Sequence, residues 1–316
     1  MLQKRIMVMK VLDIKVNENL NITDKLAACI GYFDGFHLGH QGLFKQTLKA
    51  ARERSLKSAL ITFDPDPWVV LKGIKDVTHI STMNDRKVWA EEMGFDYFLV
   101  LNFSKEMASL SPKSFVDELL INNNIKYLVC GFDFHFGDKG KGDVAFLKSY
   151  AKDIMRVKEI EEITYLGEKI STTRINGAIQ NGDLELAHTL LTRPYMMKGK
   201  VIHGNAKGRT IGFPTANIEL TDLYVMPKSG VYVAKVIIKG HEYKAMINIG
   251  HNPTFNEVSH LSIEAHILDF NDIIYDEEIT LSLYKFIREE KCFNNVDELI
   301  NELSANVKYT REYFGE

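Results

Sequence analysis

Apolar residues in the first half of the chain come in short, nearly continuous runs separated by stretches of helical spacing. Ala28 to Ile30 is such a run, and Ser58-Ala-Leu-Ile-Thr-Phe63, Tyr97-Phe-Leu-Val-Leu101 and Lys126-Tyr-Leu-Val-Cys-Gly131 repeat it. Runs of this length, apolar at most positions, predict buried strands. Between them, Leu43, Phe44 and Leu48 mark a helix that begins near His37. Ser81-Thr-Met-Asn-Asp-Arg-Lys-Val-Trp-Ala-Glu-Glu-Met93 reads as a capped helix, and another runs from Pro112 through Leu120. The alternation predicts βαβ units and a doubly wound parallel sheet.

The pattern changes after Asp183-Leu-Glu-Leu-Ala-His-Thr-Leu-Leu191, a short amphipathic helix. From Arg193 onward, Met196 to Ile202, Gly230 to Ile238, Lys244 to Ile249, Leu261 to Leu268 and Ile279 to Ile287 are short apolar or alternating runs broken by glycine, proline, asparagine and aspartate. That spacing predicts a small antiparallel barrel, which the amphipathic helix Val296 to Phe314 would cover. The expected domains are residues 1–183 and 184–316. The fold class is therefore α/β followed by β.

Bulk composition narrows the function. A chain of 316 residues, 45% hydrophobic and 26% charged, is long enough for two ordinary domains with cores of their own. A formal net charge of −3 gives no broad electrostatic grip on nucleic acid, so small-molecule partners are expected. Cys29, Cys130 and Cys292 are far apart, lack zinc spacing and mostly sit in apolar runs, which predicts buried thiols in a reducing compartment. Lys4, Arg5 and Lys10 precede no continuous apolar segment, and no stretch approaches the ~20 apolar residues of a membrane span. A cytoplasmic protein without membrane partners, monomeric or weakly self-associating, is expected.

The chemistry concentrates in loops. Gly31-Tyr-Phe-Asp-Gly-Phe-His-Leu-Gly-His40 breaks an apolar strand with glycines and then delivers two histidines to one face of a helix start. Helix starts attract anions through unpaired N–H groups and the dipole, and two imidazoles add stabilisation for a reacting phosphoryl group. Gly131-Phe-Asp-Phe-His-Phe-Gly137, followed by Asp138-Lys-Gly-Lys-Gly142, offers aromatic faces and a glycine-rich tail. Lys169-Ile-Ser-Thr-Thr-Arg-Ile-Asn176 sets hydroxyls and an arginine at a predicted helix start, a phosphate-binding combination as well as an ordinary cap.

In the second half, Gly204-Asn-Ala-Lys-Gly-Arg-Thr-Ile-Gly-Phe-Pro-Thr-Ala-Asn217 combines backbone-exposing glycines with Lys207 and Arg209 for phosphate charge, and with Thr215 and Asn217 as oxygen donors for magnesium. Ser262-Ile-Glu-Ala-His-Ile-Leu268 alternates so that Ile263, Ala265 and Ile267 share one face and Glu264 and His266 the other. A carboxylate aimed into the barrel mouth is suited to accept a hydroxyl proton as that hydroxyl attacks ATP, which makes Glu264 the candidate general base. His266 reads as structural.

These motifs resemble, over about residues 14 to 313, the bacterial bifunctional riboflavin kinase/FAD synthetases: Gly31 to His40 is similar to the adenylyltransferase signature, and Gly208 to Asn217 to the kinase signature. The resemblance implies a Rossmann-like nucleotidyltransferase domain followed by a riboflavin kinase-like barrel. It implies phosphorylation of riboflavin to FMN and adenylylation of FMN to FAD, with magnesium-ATP as co-substrate and pyrophosphate released in the second step. It assigns His37 and His40 to transition-state phosphates, and Gly31, Phe33, Asp34, Gly35, Ser171, Thr172 and Arg174 to the nucleotide. Asp133 and Phe134 fall in a flavin-side loop, as does Asn248 within Asn248-Ile-Gly-His-Asn-Pro-Thr-Phe255. Gly204, Lys207, Gly208 and Arg209 fall to the kinase phosphates, Thr215 and Asn217 to magnesium, and Arg288 in Phe286-Ile-Arg-Glu-Glu290 to the flavin.

Two positions depart from the family pattern. Asp66 stands between Pro65 and Pro67 where a histidine is usual, and its plainest reading is a surface cap. Asn176 replaces an arginine, a loss on the order of 1.5 to 3 kcal/mol if that group bound phosphate. Both fall in the adenylyltransferase half, so a chain serving mainly as a kinase is one alternative. A non-catalytic flavin-binding regulator and a nucleic-acid enzyme sharing His-x-Gly-His are the others.

Overall fold

Burial on both faces explains the first sheet. The computed structural model describes residues 8–18, 20–204, 207–252 and 260–316. Its strands are β1 (Lys10–Ile14), β2 (Leu26–Ile30), β3 (Lys57–Asp64), β4 (Tyr97–Asn102), β5 (Ile125–Gly131) and β6 (Arg156–Ile160), all parallel, in the spatial order β1-β4-β3-β2-β5-β6. β2, apolar throughout, is buried at every position, and β3 at six of eight, with Ser58 and Thr62 buried among its apolar residues. β1 and β6 form the edges, where most positions are exposed or half-buried, so neither sequence carries a continuous buried-strand signal. Helix α1 (Leu38–Glu53) buries Leu43, Phe44, Thr47, Ala50 and Ala51, one stripe at helical spacing. Its Gly42 lies against the end of the Ile163 side chain: a Cβ there would meet Cδ1 at 2.6 Å unless that side chain turned aside. Pro67–Lys72 forms the short helix α2 and Met83–Glu92 the helix α3, closed by a Thr82/Asp85 capping box.

The helix expected from Pro112 through Leu120 is instead a short α-turn, Pro112–Ser114, that widens into π-helix over Phe115–Ile121. The widened turn buries Phe115, Val116, Leu119 and Leu120. A two-stranded hairpin, β7 (Thr164–Tyr165) and β8 (Glu168–Lys169), precedes the helix Thr172–Gln180.

The chain divides into two compact units, Met1–Val77 with Thr82–Ser171, and Thr78–Ser81 with Thr172–Glu316. In the second, β9 (Tyr195–Ile202), β10 (Ala216–Leu220), β11 (Gly230–Ile238), β12 (His241–Asn252), β13 (His260–Ile267) and β14 (Glu278–Arg288) close an antiparallel barrel in the order β10-β13-β12-β11-β14-β9. β10 completes the closure through β9 and β13; at five residues with only Ile218 buried, it lacks an apolar run to announce it. β11 is buried along nearly its whole length because the terminal helix Val296–Tyr313 packs on β11 and β12 outside the barrel. Among the described residues no helix is long and apolar enough to cross a membrane.

Candidate active sites

The sheet order puts the first candidate site at a topological switch point. From β2 the chain winds through β3 to β4 on one side, then returns beside β2 as β5 and continues to β6 on the other. The loops beginning at Gly31 and Gly131 therefore leave adjacent parallel strands at their C-terminal ends, where open α/β sheets bind ligands.

In the Gly31 loop, Phe33 (φ 53), Gly35 (φ 75) and Phe36 (φ 42) all adopt left-handed backbone, which persists only where packing dictates it. The ring of Phe33 supplies part of that packing. It is buried, lies edge-on to His40 and Phe44 at centroid distances of 5.1 and 5.0 Å, and occupies the space that a Cβ on Gly31 would take at 2.7 Å. His37 caps α1, its Nδ1 accepting the backbone N–H of His40 at 3.4 Å. A neutral ring that accepts at Nδ1 carries its proton on Nε2. The two imidazoles stack with centroids 3.6 Å apart and planes 21° apart, so both stand at the positive end of a 16-residue helix.

A buried network holds the loop from behind. Asp34 pairs with Nη2 of Arg86 at 3.1 Å, the side chains being 3% and 2% exposed. Nη1 of Arg86 donates to the carbonyl oxygen of Tyr32 at 3.2 Å, Thr62 Oγ1 donates to the same oxygen at 2.9 Å, and the guanidinium lies 4.9 Å from the Tyr32 ring centroid. Burial first, and then the nearby Asp66 carboxylate, push the Tyr32 phenol above its ordinary range. Asp66 is thus not a surface cap: it occupies the position before α2 but makes no capping bond, is 7% exposed, and its charge is felt by the Tyr32 phenol.

The neighbouring loop is partly absorbed into structure. Phe134 stacks on Phe136 at 5.4 Å within the core, while exposed Asp133 pairs with Lys169 at 2.7 Å. Ser171 ends the first unit; Thr172 and Arg174 lie in the first turn of the helix Thr172–Gln180, counted in the second.

In the barrel, register assembles the second candidate site. Glu264 on β13 lies directly across from Asn217 on β10 and from Asn248 on β12, three half-buried polar side chains abreast on one face. Ile263, Ala265 and Ile267 point the other way and are buried. Thr215 Oγ1 approaches Oε2 of Glu264 at 3.4 Å. The Gly204 backbone lies against the Asn217 amide, since a Cβ there would fall 2.0 Å from Nδ2. Gly208 is equally constrained: a Cβ would meet the Phe213 carbonyl oxygen at 2.2 Å, and the Phe213 N–H donates to the Gly208 carbonyl at 2.9 Å. Arg209 lies exposed on the short helix Lys207–Thr210; the Lys207 side chain and Pro253 to Phe255 lie outside the described residues. Arg288, at the end of β14, is 13% exposed and ion-paired through Nε with Glu302 of the terminal helix at 2.8 Å. Thr215 and Asn217 are neutral oxygen donors of the kind that could hold a magnesium ion, with the Glu264 carboxylate beside them.

Family models divide the chain the same way: the FAD synthetase model matches residues 20–174 and the riboflavin kinase model residues 191–314. A bifunctional riboflavin kinase/FMN adenylyltransferase of Listeria monocytogenes is 42% identical over 90% of this chain and 91% of its own. The chain belongs to that family. The Bacillus subtilis protein of the same name is 40% identical over 92% and 93% of the two chains. A crystal structure described as a macrolide-efflux protein from Streptococcus pneumoniae is 36% identical, covers 95% of this chain and 98% of its own, and superposes with a TM-score of 0.87.

Sequence reasoning passed over Arg86 and Tyr32. Arg86 sits 52 residues from Asp34 in a charged helix, where nothing local separates a buried guanidinium from an exposed one. Tyr32 was visible only as a letter inside the glycine motif.

Proposed function

We propose that the chain carries out two successive ATP-dependent steps, riboflavin to FMN in residues 184–316 and FMN to FAD in residues 1–183. The observation that carries the kinase assignment is the row Asn217, Glu264 and Asn248 with the Thr215 hydroxyl 3.4 Å from the Glu264 carboxylate. Glu264 accepts the proton of the ribityl hydroxyl as that oxygen attacks the terminal phosphorus of ATP, and ADP leaves. Thr215 and Asn217 are the groups that would hold magnesium, which screens triphosphate charge when bound. Gly204, Gly208, Lys207 and Arg209 receive phosphates, and Asn248 and Arg288 border the flavin.

In the other half, a phosphate oxygen of FMN attacks the α-phosphorus of a second ATP and pyrophosphate departs. His37 and His40 stabilise charge on the transferred phosphoryl group from the start of α1. Gly31 and Gly35 let the backbone approach the nucleotide, Phe33 and Asp34 hold the loop, and Ser171, Thr172 and Arg174 contribute phosphate donors. Asp133 and Phe134 border its flavin. Neither step needs a covalent enzyme intermediate.

A family model on each half supports two activities over a kinase alone or a flavin-binding regulator. The net charge of −3 supports small-molecule partners rather than nucleic acid, and we place the activity in the cytoplasm in a monomer or weak homo-oligomer. The test is incubation with ATP, magnesium and riboflavin, and separately with FMN, followed by chromatography of the flavins. FMN and FAD are expected from the first and FAD from the second; FMN without FAD would leave the kinase half alone.

A further inference from the structure

Ser262, Glu264 and His266 stand on the half-exposed face of β13, and the kinase chemistry uses only Glu264. His266 is one pleat further along. Its Nδ1 lies 2.8 Å from the carbonyl oxygen of Pro214. A carbonyl only accepts, so the ring proton is on Nδ1 and His266 is the donor. The ring also rests against Phe213, with centroids 5.4 Å apart.

This bond lies where the backbone ladder stops. β10 and β13 are paired from Ala216 opposite Ala265 onward, and Pro214, two residues earlier, has no N–H to extend the pairing. The segment before Ala216 is closed on itself by the Phe213–Gly208 bond and tied to β13 by His266. Between the tie and the ladder sits Thr215, whose hydroxyl reaches Glu264.

We propose that His266 is a positioning residue for the kinase step. By holding the Pro214 carbonyl it fixes Thr215 beside Glu264 and so sets the affinity for magnesium-ATP, without touching the reacting atoms. This rests on the kinase reading of the barrel.

Three variants of the full chain separate hydrogen bond from packing. His266→Phe keeps a ring against Phe213 but has no donor, His266→Ala has neither, and His266→Asn presents an amide N–H near the place of Nδ1. Riboflavin phosphorylation is measured with ATP varied at saturating riboflavin and with riboflavin varied at saturating ATP. FAD formation from supplied FMN reports on the other half. His266→Phe and His266→Ala are expected to raise the KM for ATP about 3- to 10-fold, the worth of one hydrogen bond, with the KM for riboflavin and FAD formation unchanged. His266→Asn should recover most of the loss. The proposal is overturned if His266→Phe matches the unsubstituted protein, if His266→Asn is as impaired as His266→Ala, or if the KM for riboflavin rises as much as that for ATP. An unsubstituted protein that forms no FMN would instead overturn the kinase reading beneath it.

Discussion

The guanidinium of Arg86 lies 3.1 Å from the carboxylate of Asp34, and both side chains are all but sealed from solvent. The pair ties α3 to the left-handed loop that delivers His37 and His40. Removing one partner of such a pair leaves a buried charge uncompensated, at a cost of about 3 to 5 kcal/mol. Arg86→Met should therefore destabilise the first unit by that order. Both tryptophans, Trp68 and Trp89, lie in that unit, so the urea midpoint of tryptophan fluorescence reads it directly. An unshifted midpoint would contradict the role given to Arg86.

Replacing His37 or His40 with alanine removes an imidazole proposed to stabilise charge at the start of α1. We expect FAD formation from FMN to fall at least about 100-fold, the scale of one lost transition-state donor, while FMN formation from riboflavin continues. Equal loss of both activities would point to a folding defect rather than a chemical one.

Glu264→Gln preserves shape and removes the proposed base. FMN formation should drop by about 10² to 10⁴, as for other general bases, with FAD still produced from supplied FMN. A variant retaining full kinase activity would exclude Glu264 as the base.

The pH response contains a contribution from Asp96. Burial alone would raise its pKa, but hydrogen bonds from Lys57 Nζ and from the N–H and hydroxyl of Ser58, each at 2.8 Å, outweigh it and hold the carboxyl below its ordinary value. A depressed folded pKa contributes stability that is present above the unfolded pKa of about 3.9 and is lost as pH falls through the folded value. Asp96→Asn should thus be less stable than the unsubstituted protein at neutral pH, with the gap narrowing below about pH 4. A gap constant from pH 7 to pH 3 would count against this assignment.

Burial pushes the thiols of Cys29 and Cys130 up to about 12, and both lack the thiolate that reacts. Cys292 is exposed, contrary to the expectation drawn from apolar surroundings, because its neighbours Lys291 and Phe293 sit in a loop between β14 and the terminal helix. A thiol reagent should titrate one cysteine in the native protein and three in denaturant. Rapid native labelling of Cys29 would contradict its burial.

Much of the architecture was legible because burial writes itself locally. Ala28 to Ile30 and Tyr97 to Leu101 are apolar throughout, and Ile263, Ala265 and Ile267 alternate with Glu264 and His266, so strand type followed from side-chain chemistry alone. The edge strands β1 and β6 and the short β10 escaped, because an edge or a five-residue strand has no continuous buried face to record. Glycines 31 and 208 were recognisable as places of close approach, though not what approaches them: the Phe33 ring in one case, the Phe213 carbonyl in the other.

The amino-acid order by itself determined which segments become strands and helices, where glycine opens the backbone, and which side chains with phosphate or proton chemistry lie near those openings. Tertiary structure alone decided that Arg86 meets Asp34, that Asp66 is buried with Tyr32 rather than capping a surface turn, and that Asn217, Glu264 and Asn248 line up. The reason is physical: propensity and periodicity act over a few neighbouring residues, whereas pairing across strands and the burial of charge depend on groups brought together from distant parts of the chain only when the core closes.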